Sequence, residues 1–167
     1  EKRFAKVEKV ARTTSDKKAK VEASCLGKVK NALSKGLPAR TVEVTEEEAP
    51  IFRDLHLITS KPVLYLCNVD EEGVRTKNQW VAKVEDLAKT EGNVVVTICG
   101  ALESEISQLD REEQKEFLKE MGLKEPGLHA LIREGYKLLN LITYFTAGKQ
   151  EVRAWTIARD TKAPQAA

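Results

Sequence analysis

The chain has 167 residues, of which 41% are hydrophobic and 32% are charged, a composition typical of a folded globular protein. Residues 1–40 carry twelve Lys/Arg against four Asp/Glu and residues 41–167 carry sixteen against twenty-two, so a basic front that suits an anionic partner precedes an acidic body. No apolar run exceeds six residues, which excludes a membrane span. The three cysteines are widely spaced, which excludes a disulfide framework and a zinc site and predicts a cytoplasmic protein.

Residues 1–40 are predicted to form a Lys-rich helical hairpin with a narrow apolar stripe on each helix. Apolar residues recur at helical spacing within residues 4–11 and again within residues 21–33. Between these runs, Ser15 or Asp16 can cap the second helix. The pattern leaves two interpretations open, a charged helix pair that only faces solvent and a surface that binds an anionic partner.

Residues 63–98 are predicted to form a βαβ unit. The apolar runs 63–67 and 94–98 have no polar alternation, which is typical of strands that are covered on both faces in a parallel sheet. The helix between them is predicted to begin at a Thr76 cap and to end at Gly92. Its apolar face is predicted to consist of Trp80, Val84, Leu87 and Ala88.

Polar residues and a glycine follow the two predicted strands, at the edge where parallel sheets bind ligands. The Asn68 side chain offers one acceptor and two donors in a plane, which can pair with N6 and N7 of a purine. The Glu71 carboxylate can accept hydrogen bonds from a base, and Gly100 allows backbone N–H groups to approach a ligand closely. The alternative is an ordinary strand exit in which Asn68 only caps a loop.

Two further helices and a β-hairpin are predicted after the second strand. Asp110 and Glu113 form a capping box for the first of these helices. Residues 126–127 introduce the second, whose inward face is predicted to be Leu128, Leu131, Ile132, Tyr136 and Leu139. Segments 141–146 and 151–157 flank a loop that contains glycine, and they predict the hairpin.

The sequence lacks the motifs of phosphate chemistry. No G-x-x-x-x-G-K-[ST] motif occurs, because Gly27-Lys28 and Gly148-Lys149 lack both the earlier Gly and the following Ser/Thr. His56 and His129 are isolated from other metal-binding residue types. We therefore predict neither a catalytic residue nor a metal ligand in this chain.

Three stretches carry a resemblance to a known family. They are KPVLYLCNVDEEG at 61–73, VVVTICGALESEI at 94–106, and the block at 117–167 that includes LITYFTAG and EVRAWTI. Together they resemble the YchF subfamily of Obg-like ATPases, which are P-loop proteins of the translation-factor class.

The resemblance implies an α/β fold in three segments. Residues 1–40 would be a coiled-coil-like helical hairpin inserted in the nucleotide-binding domain. Residues 41–140 would be the C-terminal half of that domain, with part of a P-loop NTPase-type parallel sheet made of one βαβ unit plus helices. Residues 141–167 would be the start of a TGS domain of β-grasp shape, namely its first β-hairpin.

The resemblance also implies one ligand for both strand exits. Asn68 and Glu71 fall on the family's Asn-x-x-Glu loop, which replaces the Asn-Lys-x-Asp of guanine-specific relatives and accompanies a preference for ATP, with GTP as the alternative. Val69 would offer a backbone contact to the base. Cys99, Gly100 and Ala101 fall where the fifth nucleotide-binding loop usually carries Ser-Ala or Ser-Gly-Ala. Cys99 departs from the common Ser, which puts a hydroxyl contact in doubt and leaves the backbone contacts in place.

The activity implied is that of an ATP-binding and ATP-hydrolysing switch associated with the ribosome and translation. Ribosome or ribosomal RNA would contact residues 1–40, and Mg²⁺ is expected in the parent protein through ligands that this chain does not carry. The sequence is expected to be an internal part of a longer protein, without the phosphate loop, so that the chain alone does not hydrolyse ATP. The alternative is a non-catalytic module that binds nucleic acid or protein through the basic hairpin.

Overall fold

The computed structural model describes residues 1–162, which group into two compact units, Glu1–Pro62 and a second unit that begins at Val63. The predicted boundaries near residues 40 and 140 do not coincide with this division, and they stay a prediction. Within the described part of the chain, no helix combines the length and the apolar character that crossing a membrane requires.

The first unit contains the helical hairpin. Helix α1 spans Lys2–Thr13 and helix α2 spans Lys17–Ser34, and α3 follows at Ala49–Asp54. Asp16 caps α2 by accepting a hydrogen bond from the Lys18 N–H at 2.9 Å, as predicted. The buried side chains of α2 are Ala19, Cys25, Leu26 and Val29, whereas α1 has no buried residue, as a narrow stripe implies.

The second unit begins with the predicted βαβ arrangement. Its elements are β1 (Leu64–Asn68), α4 (Glu71–Arg75), α5 (Gln79–Glu91), β2 (Val94–Ile98), α6 (Gly100–Ile106), α7 (Arg111–Glu120), α8 (Gly127–Leu138), β3 (Leu141–Ala147) and β4 (Val152–Ala158). Strands β1 and β2 are parallel, and their register runs from Leu64 opposite Val94 to Asn68 opposite Ile98. The predicted α/β class is therefore confirmed. The register brings both strand exits to the same edge of the sheet.

Helix α5 begins later than predicted. Asn78, not Thr76, caps it, because the Asn78 Oδ1 accepts from the N–H groups of Trp80 and Val81 at 3.0 and 2.9 Å. The predicted apolar face is also wrong in part, since the Trp80 and Leu87 side chains are exposed. Ala88 is buried as predicted, and Val81, which the prediction omitted, is buried too, as close packing of a helix on a sheet requires.

The prediction for the inward face of α8 is largely wrong. Four of its five residues are exposed, by 36% to 57%, namely Leu128, Ile132, Tyr136 and Leu139. The half-buried side of α8 carries Ala130, Leu131 and Leu138. Contact between Gly127 and Ile98 fixes the rotation of the helix, because a Cβ at Gly127 would lie only 2.7 Å from the Ile98 Cγ2.

The predicted burial of both strands on both faces is also wrong in part, since no residue of β1 is fully buried, Leu66 is 45% exposed and Val94 is 38% exposed. Strand β2 is the only strand paired with β1 among the described residues, so the sheet has an open edge there.

The C-terminal elements follow the prediction. The Asp110–Glu113 capping box is present at α7. Strands β3 and β4 form an antiparallel hairpin. Asn140 joins α8 to β3 in a left-handed conformation, with φ of 53°, and its carbonyl accepts a hydrogen bond from the Arg159 N–H at 2.8 Å. The last part of the predicted TGS segment, residues 163–167, lies outside the described residues.

Candidate functional site

The strand exits are joined by one side chain. The Asn68 Oδ1 accepts a hydrogen bond from the Gly100 N–H at 3.0 Å, across 32 residues of sequence. The Val69 N–H donates to the Ile98 carbonyl at 2.9 Å, which extends the pairing of the strands by one residue. With its oxygen held, the amide of Asn68 has a fixed orientation. Its Nδ2 group keeps two donors that no other described residue accepts.

Helix α4 holds the first loop from the other side. Asp70 caps this helix by accepting from the Gly73 N–H at 2.8 Å, which places Glu71 in the exposed first turn. No described residue forms a hydrogen bond with the Glu71 carboxylate, so it is available to a ligand. Gly73 is buried beneath the loop, and a Cβ there would lie 2.8 Å from the Val69 Cβ.

In the second loop, residues 99–101, the Cys99 thiol is buried and the residues after it are exposed. Cys99 precedes α6 and is buried, with no side-chain hydrogen bond to the helix. Gly100 and Ala101, which follow it, are exposed. Cys99 therefore offers no side-chain contact to a ligand. This loop contributes the Gly100 N–H, which holds Asn68, and the exposed residues Gly100 and Ala101.

The structure thus brings the predicted residues to one edge of the β1–β2 sheet. Four of the six are exposed there, namely Asn68, Glu71, Gly100 and Ala101, while Val69 is half-buried and Cys99 is buried. Burial and the nearby Glu85 carboxylate raise the pKa of the neighbouring Cys67 thiol, which disfavours its thiolate form.

Sequence reasoning missed one residue that supports this site. The Glu103 carboxylate, on α6, accepts hydrogen bonds from the N–H groups of Gly127 and Leu128 at 2.6 and 3.1 Å. Its partners lie more than twenty residues away, so no local pattern reveals them. The only clue in the sequence is that the Pro126-Gly127 start of α8 carries no capping side chain of its own.

The residues present do not fit a magnesium site. Within residues 1–162, no group of three or more His, Cys, Asp and Glu side chains lies close enough together to hold a metal ion. Three carboxylates, those of Asp70, Glu71 and Glu72, are exposed at this edge, but they do not converge on one point as the ligands of a metal ion do. We therefore assign no metal chemistry to these residues.

Comparison with known proteins identifies relatives along the whole chain. The family model described as "YchF-GTPase_C: Protein of unknown function (DUF933)" matches residues 141–167. The "Ribosome-binding ATPase YchF" of Bacillus subtilis (strain 168) is 47% identical over 169 residues, which cover 100% of this chain and 46% of the relative. The protein of the same name from Escherichia coli O157:H7 is 48% identical over 152 residues, which cover 91% of this chain and 42% of the relative.

A solved structure agrees with these relatives. The chain matches "Structure of the Schizosaccharomyces pombe YchF GTPase" with a TM-score of 0.86 and 32% identity, over 99% of this chain and 46% of that one. The chain thus spans less than half the length of the relatives that it matches. Over the part of the family's length that it spans, the chain belongs to the YchF family of Obg-like ATPases.

Proposed function

We propose that the edge formed by Asn68, Glu71 and Gly100 reads the base of a purine nucleotide, ATP in preference to GTP. The observation that carries the proposal is the hydrogen bond from the Gly100 N–H to the Asn68 Oδ1, which fixes the amide and leaves its two donors exposed. An amide donor of this kind pairs with N7, which both purines share.

Glu71 supplies the preference for adenine in this proposal. Its exposed carboxylate is acceptor-only when ionised, so it pairs with the amino group at C6 of adenine. Guanine has a carbonyl oxygen at C6, and two acceptors repel each other. The backbone at Val69, Gly100 and Ala101 borders the base, and the buried Cys99 takes no part through its thiol.

The role proposed for the whole protein is an ATP-binding P-loop switch that works with the ribosome in the cytoplasm. Support comes from relatives named "Ribosome-binding ATPase YchF" and from the solved "YchF GTPase". The sequence in hand contains no phosphate-binding loop, so we assign base recognition to this chain and do not assign hydrolysis to it. A bound Mg²⁺ would neutralise phosphate charge, through ligands other than the residues described above.

The test of base recognition is Asn68→Ala. We expect its affinity for adenosine to fall about fivefold or more, because the variant loses the hydrogen bond to N7, which supplies about 1 kcal/mol, and also the bond that holds Gly100. Titration with adenosine, followed through the backbone amide signals of Val69, Gly100 and Ala101 in NMR spectra, measures this affinity. Adenosine isolates the base from the phosphates.

The matched control is Asn31→Ala, an exposed Asn on α2 in the other unit, which we expect to bind as the unchanged chain does. Guanosine serves as the second ligand and should bind more weakly than adenosine. Equal affinity of Asn68→Ala and the unchanged chain for adenosine would refute the assignment.

A second candidate function is a nucleic-acid-binding module formed by the basic hairpin. Its support is a set of exposed lysines with no anionic partner among the described residues, namely Lys2, Lys6, Lys9, Lys18, Lys20 and Lys35. Lysines of this kind bind phosphate backbones and release counterions.

For this candidate we expect RNA binding that weakens steeply with salt. Changing Lys2, Lys6 and Lys9 to Gln together should weaken binding to a ribosomal RNA fragment and lower the slope of log affinity against log salt by about two. Fluorescence anisotropy between about 50 and 200 mM salt covers the range in which such contacts are lost. Changing Lys83, Lys89 and Lys115 to Gln removes the same charge from the second unit and is the control. A slope that the α1 changes leave unaltered would exclude this surface.

A further inference from the structure

We propose that Glu103 is a positioning residue for the base-reading edge, which couples purine occupancy to the first turn of α8 and, through α8, to the β3–β4 hairpin. The inference rests on the proposed function, because it concerns the same edge. It assigns a role to a residue that does not contact the purine, and it states that the effect of purine binding is transmitted to α8 and the hairpin.

Glu103 lies one turn after the loop that holds Asn68. Gly100 begins α6 and donates its N–H to the Asn68 Oδ1, and Glu103 follows on the same seven-residue helix. The Glu103 N–H donates to the Cys99 carbonyl at 3.0 Å, so the carboxylate and the loop share one rigid turn. A displacement of Glu103 therefore displaces the Gly100 N–H.

The Glu103 carboxylate supplies a cap that α8 lacks. The first N–H groups of a helix have no partner within the helix, and Pro126 before α8 has no side chain to satisfy them. Both Glu103 oxygens do so, one for Gly127 and one for Leu128. A negative charge at this end of a helix is also favoured by the helix dipole.

The contact of the first turn of α8 with Glu103 and Ile98, which we call the junction, is close because residue 127 is a glycine. A Cβ added there would lie 2.7 Å from the Ile98 Cγ2 and 2.8 Å from the Glu103 Oε1. Ile98 is the last residue of β2 and immediately precedes the Cys99–Gly100 loop. The first turn of α8 thus contacts Ile98, before the Cys99–Gly100 loop, and Glu103, after it. The position of the loop therefore depends on α8.

Helix α8 is joined in turn to both strands of the hairpin. It ends at Leu138, two residues before β3, and the Asn140 carbonyl accepts from the Arg159 N–H just after β4. The Tyr136 Oη lies 3.2 Å from the Thr156 Oγ1 of β4. A continuous set of hydrogen bonds and one helix therefore connect Asn68 to the hairpin.

Thermodynamic linkage makes the coupling reciprocal. If the junction at Gly127 orders the Gly100 N–H, then its loss weakens purine binding. By the same factor, purine binding protects the junction from opening. Both quantities are measurable without reference to phosphate or hydrolysis.

The experiment uses adenosine as the probe and the full chain, unchanged and as Glu103→Ala, Glu103→Gln and Glu105→Ala. Glu105 is an exposed residue on the same helix whose side chain pairs with no described residue, so it is the matched control. Affinity comes from NMR titration, and opening of the junction comes from hydrogen exchange at the Gly127 and Leu128 amides.

We expect Glu103→Ala to bind adenosine about fivefold or more weakly, within the range of coupling between sites. Glu103→Gln should recover part of this loss, because its amide oxygen still accepts from the Gly127 N–H. Glu105→Ala should bind as the unchanged chain does. Partial recovery of affinity in Glu103→Gln would show that the hydrogen bond to Gly127 positions the loop. If Glu103→Ala weakened binding only by unfolding α6, the oxygen restored by Gln would not be expected to recover the affinity.

The unchanged chain gives the second measurement. We expect adenosine to slow exchange at the Gly127 and Leu128 amides by about the same factor. Unaltered exchange in a chain that binds adenosine, or equal affinity of Glu103→Ala, overturns the coupling. If adenosine does not shift the Gly100 and Val69 signals of the unchanged chain at all, the proposed function fails, which is a separate result.

Discussion

Replacing Glu48 by Ala is expected to lower the free energy of unfolding of the first unit by about 2–4 kcal/mol. Glu48 is only 3% exposed, and its carboxylate accepts from Lys28 Nζ at 2.7 Å, Ser24 Oγ at 2.8 Å and the Thr45 N–H at 2.9 Å. The Thr45 Oγ1 accepts in return from the Glu48 N–H at 3.3 Å. The change removes three hydrogen bonds and leaves a cavity beside α2.

Glu47→Ala is the matched control for this prediction. Its carboxylate pairs with Lys17 at 2.7 Å, but both side chains are exposed, so the expected cost is at most about 1 kcal/mol. Hydrogen exchange of the α2 amides measures the stability of this unit, because both tryptophans of the chain lie in the other one. Equal costs for the two variants would contradict the assignment of Glu48 as the buried anchor.

The same carboxylate predicts a pH dependence. The hydrogen bond from Lys28, followed by those from Thr45 and Ser24, lowers the pKa of Glu48 from an ordinary value of 4.5 to about 2. Because the folded pKa is below the unfolded one, this stabilisation is complete above about pH 5 and is lost as the pH falls towards 2. We expect Glu48→Gln to flatten the stability profile between these values. An unchanged profile would show that other carboxylates dominate it.

The second large effect is expected at Gly73. A methyl group added by Gly73→Ala would lie 2.8 Å from the Val69 Cβ and 2.9 Å from the Asp70 Oδ1. Neither atom can move without the backbone of the loop, because Val69 Cβ is attached to it directly and Asp70 caps α4. We expect a loss of about 1–3 kcal/mol in the free energy of unfolding, together with weaker binding of adenosine.

Gly135→Ala is the control for the glycine change. No described atom lies within 4 Å of a Cβ at Gly135, and the position is in the interior of α8, so this variant is expected to be about 0.5–1 kcal/mol more stable. Urea unfolding followed by the fluorescence of Trp80 and Trp155 measures both variants. Gly73→Ala with full stability would mean that the loop adapts without cost.

Local chemistry made parts of this fold predictable. The Asp16 cap, the Asp110–Glu113 capping box and the glycine-containing hairpin loop depend on neighbours within a few residues, and all three are present. The parallel pairing of β1 and β2 follows from the strand–helix–strand order. The same order predicts that the two strand exits lie side by side, as they do.

Distant partners made the rest unpredictable. Periodicity in α8 defines an apolar stripe, but the packing of Gly127 on Ile98 and the Glu103 cap decide which side of the helix faces the sheet. Glu48 is similar, since its Lys28 partner lies twenty residues away. In the sequence, Glu48 is one of three consecutive glutamates, and composition alone would place all three in solvent.

The short connection after α8 has a mechanical consequence. Only two residues separate α8 from β3, and Asn140, the second of them, is held through its carbonyl. Because this connection is so short, we expect helix α8 and the seven-residue strand β3 to move together as one body. A strand of this length is about 23 Å long, so tilting α8 by about 5° would move the hairpin tip by about 2 Å. A small displacement at the purine edge that tilts α8 would thus become a larger displacement of the loop at Gly148.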